Sequence, residues 1–454
     1  MIQFREIQLS DKEHIESYLR RSSAPICDYT FVNIYAWQPV YQSTWAEVEG
    51  ALVVRFLIDG EYGYMVVGAE DYAAVLTALF SETKQRGERL RLVGMTCEDA
   101  DKFKAWAAQN DCEECFAICD NPDYRDYIYS VEDLSNLTGK KYQPKRNHIN
   151  KFEAKYTYEF AELTPKYFQE CLCLECRWQL RKAVMENPAV AKEHECKDTA
   201  EKSAIRRAFD AYEELGLYGG VLLVDGHVAA FTYGSAMSED TFCTHIEKAD
   251  ATMDGIFPMI NRCFARALAE RGFRYVNREE DMGLAGLRRS KQSFYPVRLQ
   301  EKIGVREITP VEADCRELWM DVFGDSREDV DRFFIDVHTP NNLLTHSEQG
   351  RVVSMLNIVE INTDYGVTAY LYAIATAAEW RGRGFAKELI RQAIAISRER
   401  GYKAVMLIPS EESLVAYYRR IGFGEPSYKL DFSNGYDLGT GNPELNIAMT
   451  LLLY

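Results

Sequence analysis

The stretch Thr368–Ile390, TAYLYAIATAAEWRGRGFAKELI, joins an apolar strand pattern to a helix pattern through a loop rich in glycine and arginine. The pattern predicts a strand that ends at Thr376 and a helix that begins near Ala386. Glycine lets the backbone approach a phosphate closely, and the first N–H groups of a helix have no partner inside the helix. The stretch therefore predicts an anion-binding helix N-terminus.

Six residues, Arg381–Ala386 (RGRGFA), form the segment that we name the anion loop. Arg381 and Arg383 would add charge-assisted hydrogen bonds to a bound phosphate. The loop lacks the Lys-Ser/Thr ending of a Walker A loop, and it is not a GxGxxG dinucleotide-binding loop. An ordinary helix start with glycines kept for packing is the alternative explanation of the same residues.

The order of strands and helix around the anion loop is repeated upstream. An offset of 129 residues carries Glu270–Gly272 (ERG) onto Glu399–Gly401 (ERG) without a gap, and it carries Gly255 onto Gly384. A constant register over a helix and the following strand implies two copies of one fold. A further copy, nearer the N-terminus and weaker in its similarity, has a helix that ends at Gly87.

The predicted elements have the same order in every copy, which is two strands, a helix and a further strand. They are Val53–Leu57, Tyr64–Gly68, Tyr72–Gln85 and Leu90–Val93; then Gly219–Val224, Ala229–Tyr233, Phe257–Glu270 and Arg274–Asn277; then Val352–Ile358, Tyr370–Thr376, Ala386–Arg400 and Ala404–Ile408. We therefore predict an α+β (mixed α/β) chain of three similar units, residues 1–130, 131–303 and 304–454. We name them the first, second and third copies, and the first two would form a tandem module.

The region after the anion loop carries a second motif. PSEESLVAYYRRIGF (Pro409–Phe423) follows a predicted strand and reads as a helix that ends in Y-x-x-x-G-F. Together with R-x-x-G-x-A in the anion loop, this arrangement resembles the GNAT superfamily of N-acetyltransferases. The resemblance implies that the third copy transfers an acetyl or similar acyl group from CoA to an amine.

The same resemblance implies roles for individual residues. Tyr418 would be the general acid for the departing CoA thiolate, because a neutral tyrosine of pKa near ~10 can donate to a thiolate of pKa near ~8.5. A core tyrosine is the alternative explanation. Backbone groups of Ile374, Ala375 and Thr376 would pair with the pantetheine arm of acetyl-CoA. The backbone N–H groups of Gly382, Arg383, Gly384, Phe385 and Ala386 would bind the pyrophosphate, and Arg381 and Arg383 would add their charge.

The third copy also departs from the GNAT pattern. Glu411 stands where many members of the superfamily have asparagine, which puts one contact to CoA in doubt. The strand that ends at Thr376 carries no carboxylate to serve as general base. Glu360, Asp364 and water are the substitutes that the sequence leaves open.

Residues 120–300 carry a different set of motifs. These are DYIY (Asp126–Tyr129), GKK…KRNHINKF (Gly139–Phe152), HIEKA (His245–Ala249) and NREEDMG…LRRSKQSFYP (Asn277–Pro296). As a set they resemble a bacterial tandem-GNAT family related to the catalytic domain of phosphatidylglycerol lysyltransferase. The resemblance implies a tandem acyltransferase fold. It also brings in aminoacyl-tRNA as an alternative donor, because relatives that transfer aminoacyl groups take them from charged tRNA.

A basic patch would meet the RNA backbone in that alternative. Its residues are Lys140, Lys141, Lys145, Arg146, His148 and Lys151. A solvated basic segment between two copies is the other explanation.

The 129-residue offset tests whether the second copy works like the third. It maps Arg381 onto Thr252 and Tyr418 onto Arg289, so the second copy lacks those groups. It maps Thr376 onto Glu247, which we predict to act as a base or a substrate anchor. The acidic run Glu279–Asp281 would bind an amine, form buried ion pairs or remain a solvated turn.

The composition limits which binding partners, cellular location and metal sites we expect. The chain of 454 residues has a net charge of −17, which disfavours DNA and weakly favours a cationic acceptor such as a small-molecule amine or a lysine side chain. The start is not a signal peptide and no apolar stretch reaches ~18 residues, so we expect a cytoplasmic protein without membrane insertion. The pairs Cys112/Cys115 and Cys173/Cys176 are too far apart for a usual zinc ribbon, and we expect no metal site. A non-catalytic acyl-CoA-binding protein is the remaining alternative.

Overall fold

The computed structural model describes residues 1–58, 60–186, 199–433 and 435–453. They form two compact units. The N-terminal unit consists of Met1–Phe103, Tyr124–Asp281 and Gly286–Lys302, and the C-terminal unit consists of Lys104–Asp123, Met282–Ala285 and Ile303–Tyr454. The fold is mixed α/β, as predicted. The boundaries of the three copies remain a prediction.

The strands are short and apolar, as the sequence pattern predicts. In chain order they are β1 Arg5–Glu6, β2 Thr44–Val48, β3 Ala51–Ile58, β4 Glu61–Val67, β5 Arg91–Met95, β6 Phe116–Asp120, β7 Asp126–Ser130, β8 Tyr158–Glu162, β9 Tyr218–Val224, β10 His227–Ala236, β11 Thr241–Ala249, β12 Tyr275–Asn277, β13 Arg298–Gln300, β14 Ile303–Glu307, β15 Leu343–Glu348, β16 Arg351–Thr363, β17 Gly366–Thr376, β18 Ala404–Leu407, β19 Tyr428–Lys429 and β20 Ile447–Leu452.

The helices flank these strands. In chain order they are α1 Lys12–Leu19, α2 Phe31–Ala36, α3 Gln38–Tyr41, α4 Tyr72–Arg86, α5 Cys97–Gln109, α6 Val131–Asn136, α7 Gln143–Lys155, α8 Pro165–Glu186, α9 Ala200–Asp210, α10 Ile256–Glu270, α11 Ala285–Gln292, α12 Pro310–Phe323, α13 Arg327–Asp336, α14 Phe385–Glu399 and α15 Glu412–Arg419.

Each copy contains one parallel strand pair joined by one helix. The pairs are β4 with β5 through α4, β11 with β12 through α10, and β17 with β18 through α14. A parallel pair requires such a crossover because its strands start at the same edge of the sheet. The recurrence of this unit supports the predicted internal repeat.

The second and third copies agree closely in their crossover helices. Helices α10 and α14 each have 15 residues, and both of their ends are related by the 129-residue offset. The capping glycines Gly255 and Gly384 have left-handed φ angles of 87° and 92°. The local sequence pattern is therefore sufficient to predict these helix bounds.

Two sheets position the sites described below. The second copy has the strand order β13-β7-β12-β11-β10-β9-β8, and the third has β15-β16-β17-β18-β20-β19. The third-copy sheet packs apolar residues on both faces. Met355 and Tyr370 meet Trp319 and Phe333 on one side, while Leu389 and its neighbours on α14 cover the other.

Candidate functional site

The anion loop of the third copy lies between the end of β17 and the start of α14. Gly382 and Gly384 have φ angles of 77° and 92°, a left-handed backbone that favours glycine. A Cβ atom built on either glycine would meet nothing within 4 Å. These glycines therefore are not kept for packing, and the space beside them is open to a ligand.

The loop presents unused hydrogen-bond donors. Within the described ranges, the backbone N–H groups of Gly382 through Ala386 have no hydrogen-bond partner. Arg381 to Gly384 are exposed. The positive end of the helix dipole adds to these donors, so the loop is suited to a phosphate group.

The two arginines of the loop are positioned differently. Arg381 Nε donates to the backbone O of Thr376 at 3.1 Å, which ties the loop to the end of β17. The Arg383 guanidinium lies 4.2 Å from the centre of the Trp380 ring. Phe385, at the first position of α14, stacks on His346 with ring centres 3.9 Å apart. The sequence analysis did not single out Trp380 or His346.

Strands β17 and β18 pair only at their beginnings. Among the described residues, register pairs join Ala369 to Val405 and Tyr370 to Met406, and none follows further along β17. Ala373 has a left-handed φ of 50° at a bulge where β17 slips against β16. The end of β17 at Ile374, Ala375 and Thr376 therefore has no register partner in β18 as the structure describes it, and we name this unpaired stretch the opening.

Part of the predicted pantetheine segment already has partners in the protein. Ser354 Oγ on β16 donates to the backbone O of Ala375 at 3.0 Å, and the Thr376 carbonyl accepts from Arg381. These bonds fix the shape of the strand end. The role of Ile374, Ala375 and Thr376 in binding pantetheine remains a prediction.

Tyr418 lies on α15 and is only 6% exposed. Burial raises its pKa to about 12, and Tyr417 adds to the rise. In the described part of the chain, the Tyr418 hydroxyl has no hydrogen-bond partner. Of the substitutes named for the general base, Glu360 accepts a hydrogen bond from the Tyr402 hydroxyl. That contact makes Glu360 less available as a base.

Asn357 is a polar residue that the sequence analysis missed. It is 1% exposed on β16, in register with Tyr372 beside the bulge. Neither its Oδ1 nor its Nδ2 has a hydrogen-bond partner among the described residues. A buried amide normally has a partner, so Asn357 is available to a polar ligand group. Its place in the run MLNIV, which is otherwise apolar, was the signal.

The equivalent loop of the second copy is closed. A Cβ on Gly255 would lie 2.2 Å from the backbone O of His148 and 2.9 Å from its carbonyl carbon. The His148 side chain also meets Asp254, with Nδ1 and Oδ1 2.8 Å apart. Helix α7 thus covers the start of α10, where a pyrophosphate would otherwise bind.

Glu247 occupies the position that the offset predicts for it. Thr232 Oγ1 donates to the carbonyl of Ile246 as Ser354 does to that of Ala375, and Thr232 pairs with Glu247 as Ser354 pairs with Thr376. The Glu247 carboxylate forms an ion pair with Arg278 at 2.9 Å. Its predicted role as base or anchor is untested, and this ion pair must open before Glu247 acts as a base.

The acidic run Glu279–Asp281 is not a solvated turn. Asp281 is fully buried and pairs with Arg288 at 2.8 Å. Glu280 pairs with the buried Lys302 at 3.3 Å, and Lys302 also lies 2.8 Å from Asp28 and from Asp126. Buried ion pairs were one of the predicted explanations, and the structure supports that one.

The basic patch is largely engaged by its own unit. Lys145 Nζ bonds Ser293, and burial together with Arg278 lowers its pKa to about 8. Arg146 donates to the carbonyls of Leu137 and Gly139. Lys141 pairs with Asp133, and His148 contacts Asp254. These contacts favour a structural role for most of the patch.

Two groups of three potential metal ligands occur in the part of the chain that the structure describes. In the first, Cys27, Asp126 and Glu280 surround the Lys302 ammonium, which already supplies the positive charge. The second consists of Cys243, His245 and Glu279. Neither contains the cysteines of the two CxxC pairs. On α8, Cys171 is buried and Cys173 exposed, so these two lie on different faces as predicted.

Two protein-family models match the chain, one over most of the tandem module and one over most of the third copy. Residues 20–305 match the family described as phosphatidylglycerol lysyltransferase, C-terminal, and residues 305–425 match an acetyltransferase (GNAT) domain. These two matches place the chain in the acyltransferase class of transferases. The chain belongs to the family of the phosphatidylglycerol lysyltransferase C-terminal domain.

Solved structures include similar proteins. A conserved protein of unknown function from Bacteroides thetaiotaomicron is 35% identical, with a TM-score of 0.60 over 68% of this chain and 100% of that one. L-PGS from Bacillus licheniformis is 15% identical, with a TM-score of 0.47 over 68% of this chain and 97% of that one. The C-terminal domain of a putative lysylphosphatidylglycerol synthetase from Agrobacterium fabrum is 12% identical, with a TM-score of 0.45 over 66% and 93%.

The search of curated proteins found no match. In the described residues, helices long and apolar enough to cross a membrane are absent.

Proposed function

We propose that the third copy transfers an acyl group, most simply acetyl, from acyl-CoA to an amine. The open anion loop carries this proposal. Its free N–H groups, two left-handed glycines and exposed arginines together match the needs of a pyrophosphate. In this reaction the amine, in its neutral form, attacks the thioester carbonyl directly, the C–S bond breaks, CoA leaves as a thiolate, and the proton lost by the amine nitrogen passes to water.

Tyr418 stabilises the leaving thiolate in this proposal. Its pKa of about 12 lies above that of a thiol near ~8.5, so complete proton transfer to sulfur is unfavourable. Tyr418 therefore acts as a hydrogen-bond donor to the developing negative charge. A low-dielectric surrounding strengthens such a bond, and the burial of Tyr418 supplies it.

The acceptor is proposed to be a cationic amine, either a small molecule or a lysine side chain. The net charge of −17 attracts such a partner. Asn357 offers an unpaired amide beside the opening, suited to a polar group of the acceptor or of the acyl carbonyl.

A screen of amines with acetyl-CoA tests the proposal. Polyamines, an aminoglycoside and a lysine-containing peptide are incubated with the full-length protein, and free thiol is measured. We expect thiol release that depends on one amine class and is strongly reduced by Tyr418→Phe. Acetyl-CoA binding without transfer to any amine would support a non-catalytic acyl-CoA-binding protein instead.

The family of residues 20–305 supports a second candidate, which is transfer of an aminoacyl group from tRNA in the tandem module. This candidate predicts RNA protection of the Lys140–Lys151 segment and salt-sensitive binding. Lysyl-tRNA and vesicles containing phosphatidylglycerol are the test substrates. The internal contacts of Lys141, Lys145 and Arg146 favour the acyl-CoA reaction over this one.

A further inference from the structure

The second copy contains a hydrogen-bonded chain of three side chains that the proposed acyl-CoA reaction does not use. Ser235 Oγ on β10 lies 2.9 Å from His245 Nε2 on β11. His245 Nδ1 lies 3.0 Å from Glu279 Oε1, which follows the end of β12. A nucleophile, a base and an acid that orients the base are thus connected in series.

We propose that Ser235, His245 and Glu279 form a nucleophilic triad that cleaves acyl esters through an acyl-serine intermediate. The site is separate from the anion loop, so this activity goes beyond the proposed acyl-CoA reaction. Triads of this kind are recognised by geometry and roles, since they occur on unrelated folds in different chain orders.

The hydrogen bonds around Glu279 set the orientation of His245. Glu279 Oε1 also accepts a hydrogen bond from Asn33 Nδ2 at 3.0 Å. Because the carboxylate accepts at Nδ1, that nitrogen carries the proton and Nε2 is left as the acceptor for the Ser235 hydroxyl. This is the tautomer that a general base requires.

The backbone conformation that positions Glu279 is energetically unfavourable. Glu279 has a left-handed φ of 57°, which a residue with a side chain rarely adopts. Its backbone N–H donates to Asn277 Oδ1 at 2.6 Å, and Asn277 is fully buried. Such strained positions persist where the surroundings over-determine them, and they concentrate at functional sites.

The base of the triad is buried, and a cavity lies near the ends of the two strands that carry Ser235 and His245. The His245 side chain is 4% exposed, which keeps the base away from bulk water. A cavity of about 1220 Å³ in the same unit has Met237 and Thr241 in its lining, two residues that close the turn between β10 and β11, whereas the three triad side chains are not part of that lining. Leu19, Ala24 and Ile128 contribute apolar walls.

The reaction balances without a further reactant except water. Ser235 Oγ attacks the ester carbonyl, and its proton passes to His245 Nε2. The C–O bond to the alcohol breaks, and the alkoxide takes that proton. Water then attacks the acyl-serine, His245 accepts its proton, and the acid is released as Ser235 regains its hydrogen. If another alcohol or an amine replaces water, the same steps transfer the acyl group.

Covalent labelling of the full-length protein with a fluorophosphonate probe tests the triad. Hydrolysis of p-nitrophenyl acetate is the second assay. We expect an adduct that mass spectrometry locates on Ser235, and no adduct in Ser235→Ala. His245→Gln and Glu279→Gln should each slow labelling by roughly 100-fold or more. Ser17→Ala, an exposed serine on α1, is the matched control and should label at the normal rate.

Three results would overturn the proposal. One is a folded wild-type protein that yields no adduct on Ser235 at probe concentrations that label a known serine hydrolase. Another is p-nitrophenyl acetate hydrolysis that persists unchanged in Ser235→Ala. The third is one equivalent of zinc held by Cys243, His245 and Glu279, since the metal would take both nitrogen and carboxylate from the triad. Acetyl-CoA binding by the anion loop is independent of all three.

Discussion

Helices α10 and α14 begin with the same backbone conformation, but the space beside the capping glycine is filled in one and empty in the other. Gly255 and Gly384 occupy equivalent positions and have φ angles within a few degrees of each other. At Gly255 the missing Cβ makes room for the carbonyl of His148, whereas at Gly384 the space is empty. One glycine permits internal packing and the other leaves access for a ligand.

This difference shows how a repeated fold can specialise. The second copy keeps the backbone of a phosphate site but fills it with helix α7. It retains polar groups at its strand ends, where Glu247 and Glu279 pair with Arg278 and His245. The third copy keeps its donors free. The glycine alone therefore does not distinguish the two copies, but the atoms around it do.

Replacing each glycine by alanine should reveal the largest difference between the two helix starts, which is a difference in stability. A left-handed alanine costs about 1–2 kcal/mol at either position. Gly255→Ala adds an overpacking cost of about 1–3 kcal/mol because its Cβ meets the His148 backbone. Urea unfolding of the two variants should show the larger loss for Gly255→Ala. Equal losses would mean that α7 does not press on this glycine.

Tyr418→Phe tests the chemistry of the third copy. We expect kcat for amine acetylation to fall by roughly 100-fold while the KM for acetyl-CoA changes little, because the hydroxyl acts on the leaving group.

The raised pKa of Tyr418 has a consequence for the pH profile. A tyrosine with a pKa of about 12 remains neutral until the pH approaches that value, so the rate should not decline between pH 8 and pH 10 (about two units below it). Tyr417→Phe, the neighbouring tyrosine, is the control. A fall in rate below pH 10 that disappears in Tyr418→Phe would contradict the account.

Glu247→Gln should have the smallest effect on CoA. The change leaves Arg278 without its charged partner, which costs about 1–3 kcal/mol of stability for a pair whose side chains are mostly buried. The Kd for acetyl-CoA should stay within about twofold, since the second copy is closed to pyrophosphate. Gly384→Asp, in the anion loop of the third copy, should weaken binding instead. A large loss of CoA affinity in Glu247→Gln would indicate that acetyl-CoA binds to the second copy, which would contradict the proposal.

Local pattern predicted most of the repeated elements, although it missed β11, which lies between the predicted strand Ala229–Tyr233 and α10. The bounds of α14 were predicted to within one residue, because apolar spacing and terminal glycines are local properties. Contacts between distant residues were not predictable. His148 covers a glycine 107 positions later, and Lys302 gathers Asp28 and Asp126. Periodicity reports which face of an element is apolar, and it does not report which side chains meet across a sheet.

Calorimetric titration of acetyl-CoA into the intact protein, Gly384→Asp and Gly384→Asn tests the central claim most directly. Asp and Asn both tolerate a left-handed backbone, so the two variants differ mainly in charge. We expect clear binding to the intact protein, a loss of roughly 100-fold or more with Asp, and a smaller loss with Asn. Absence of binding to the folded, intact protein, or equal binding to all three, would contradict an acyl-CoA site at the anion loop.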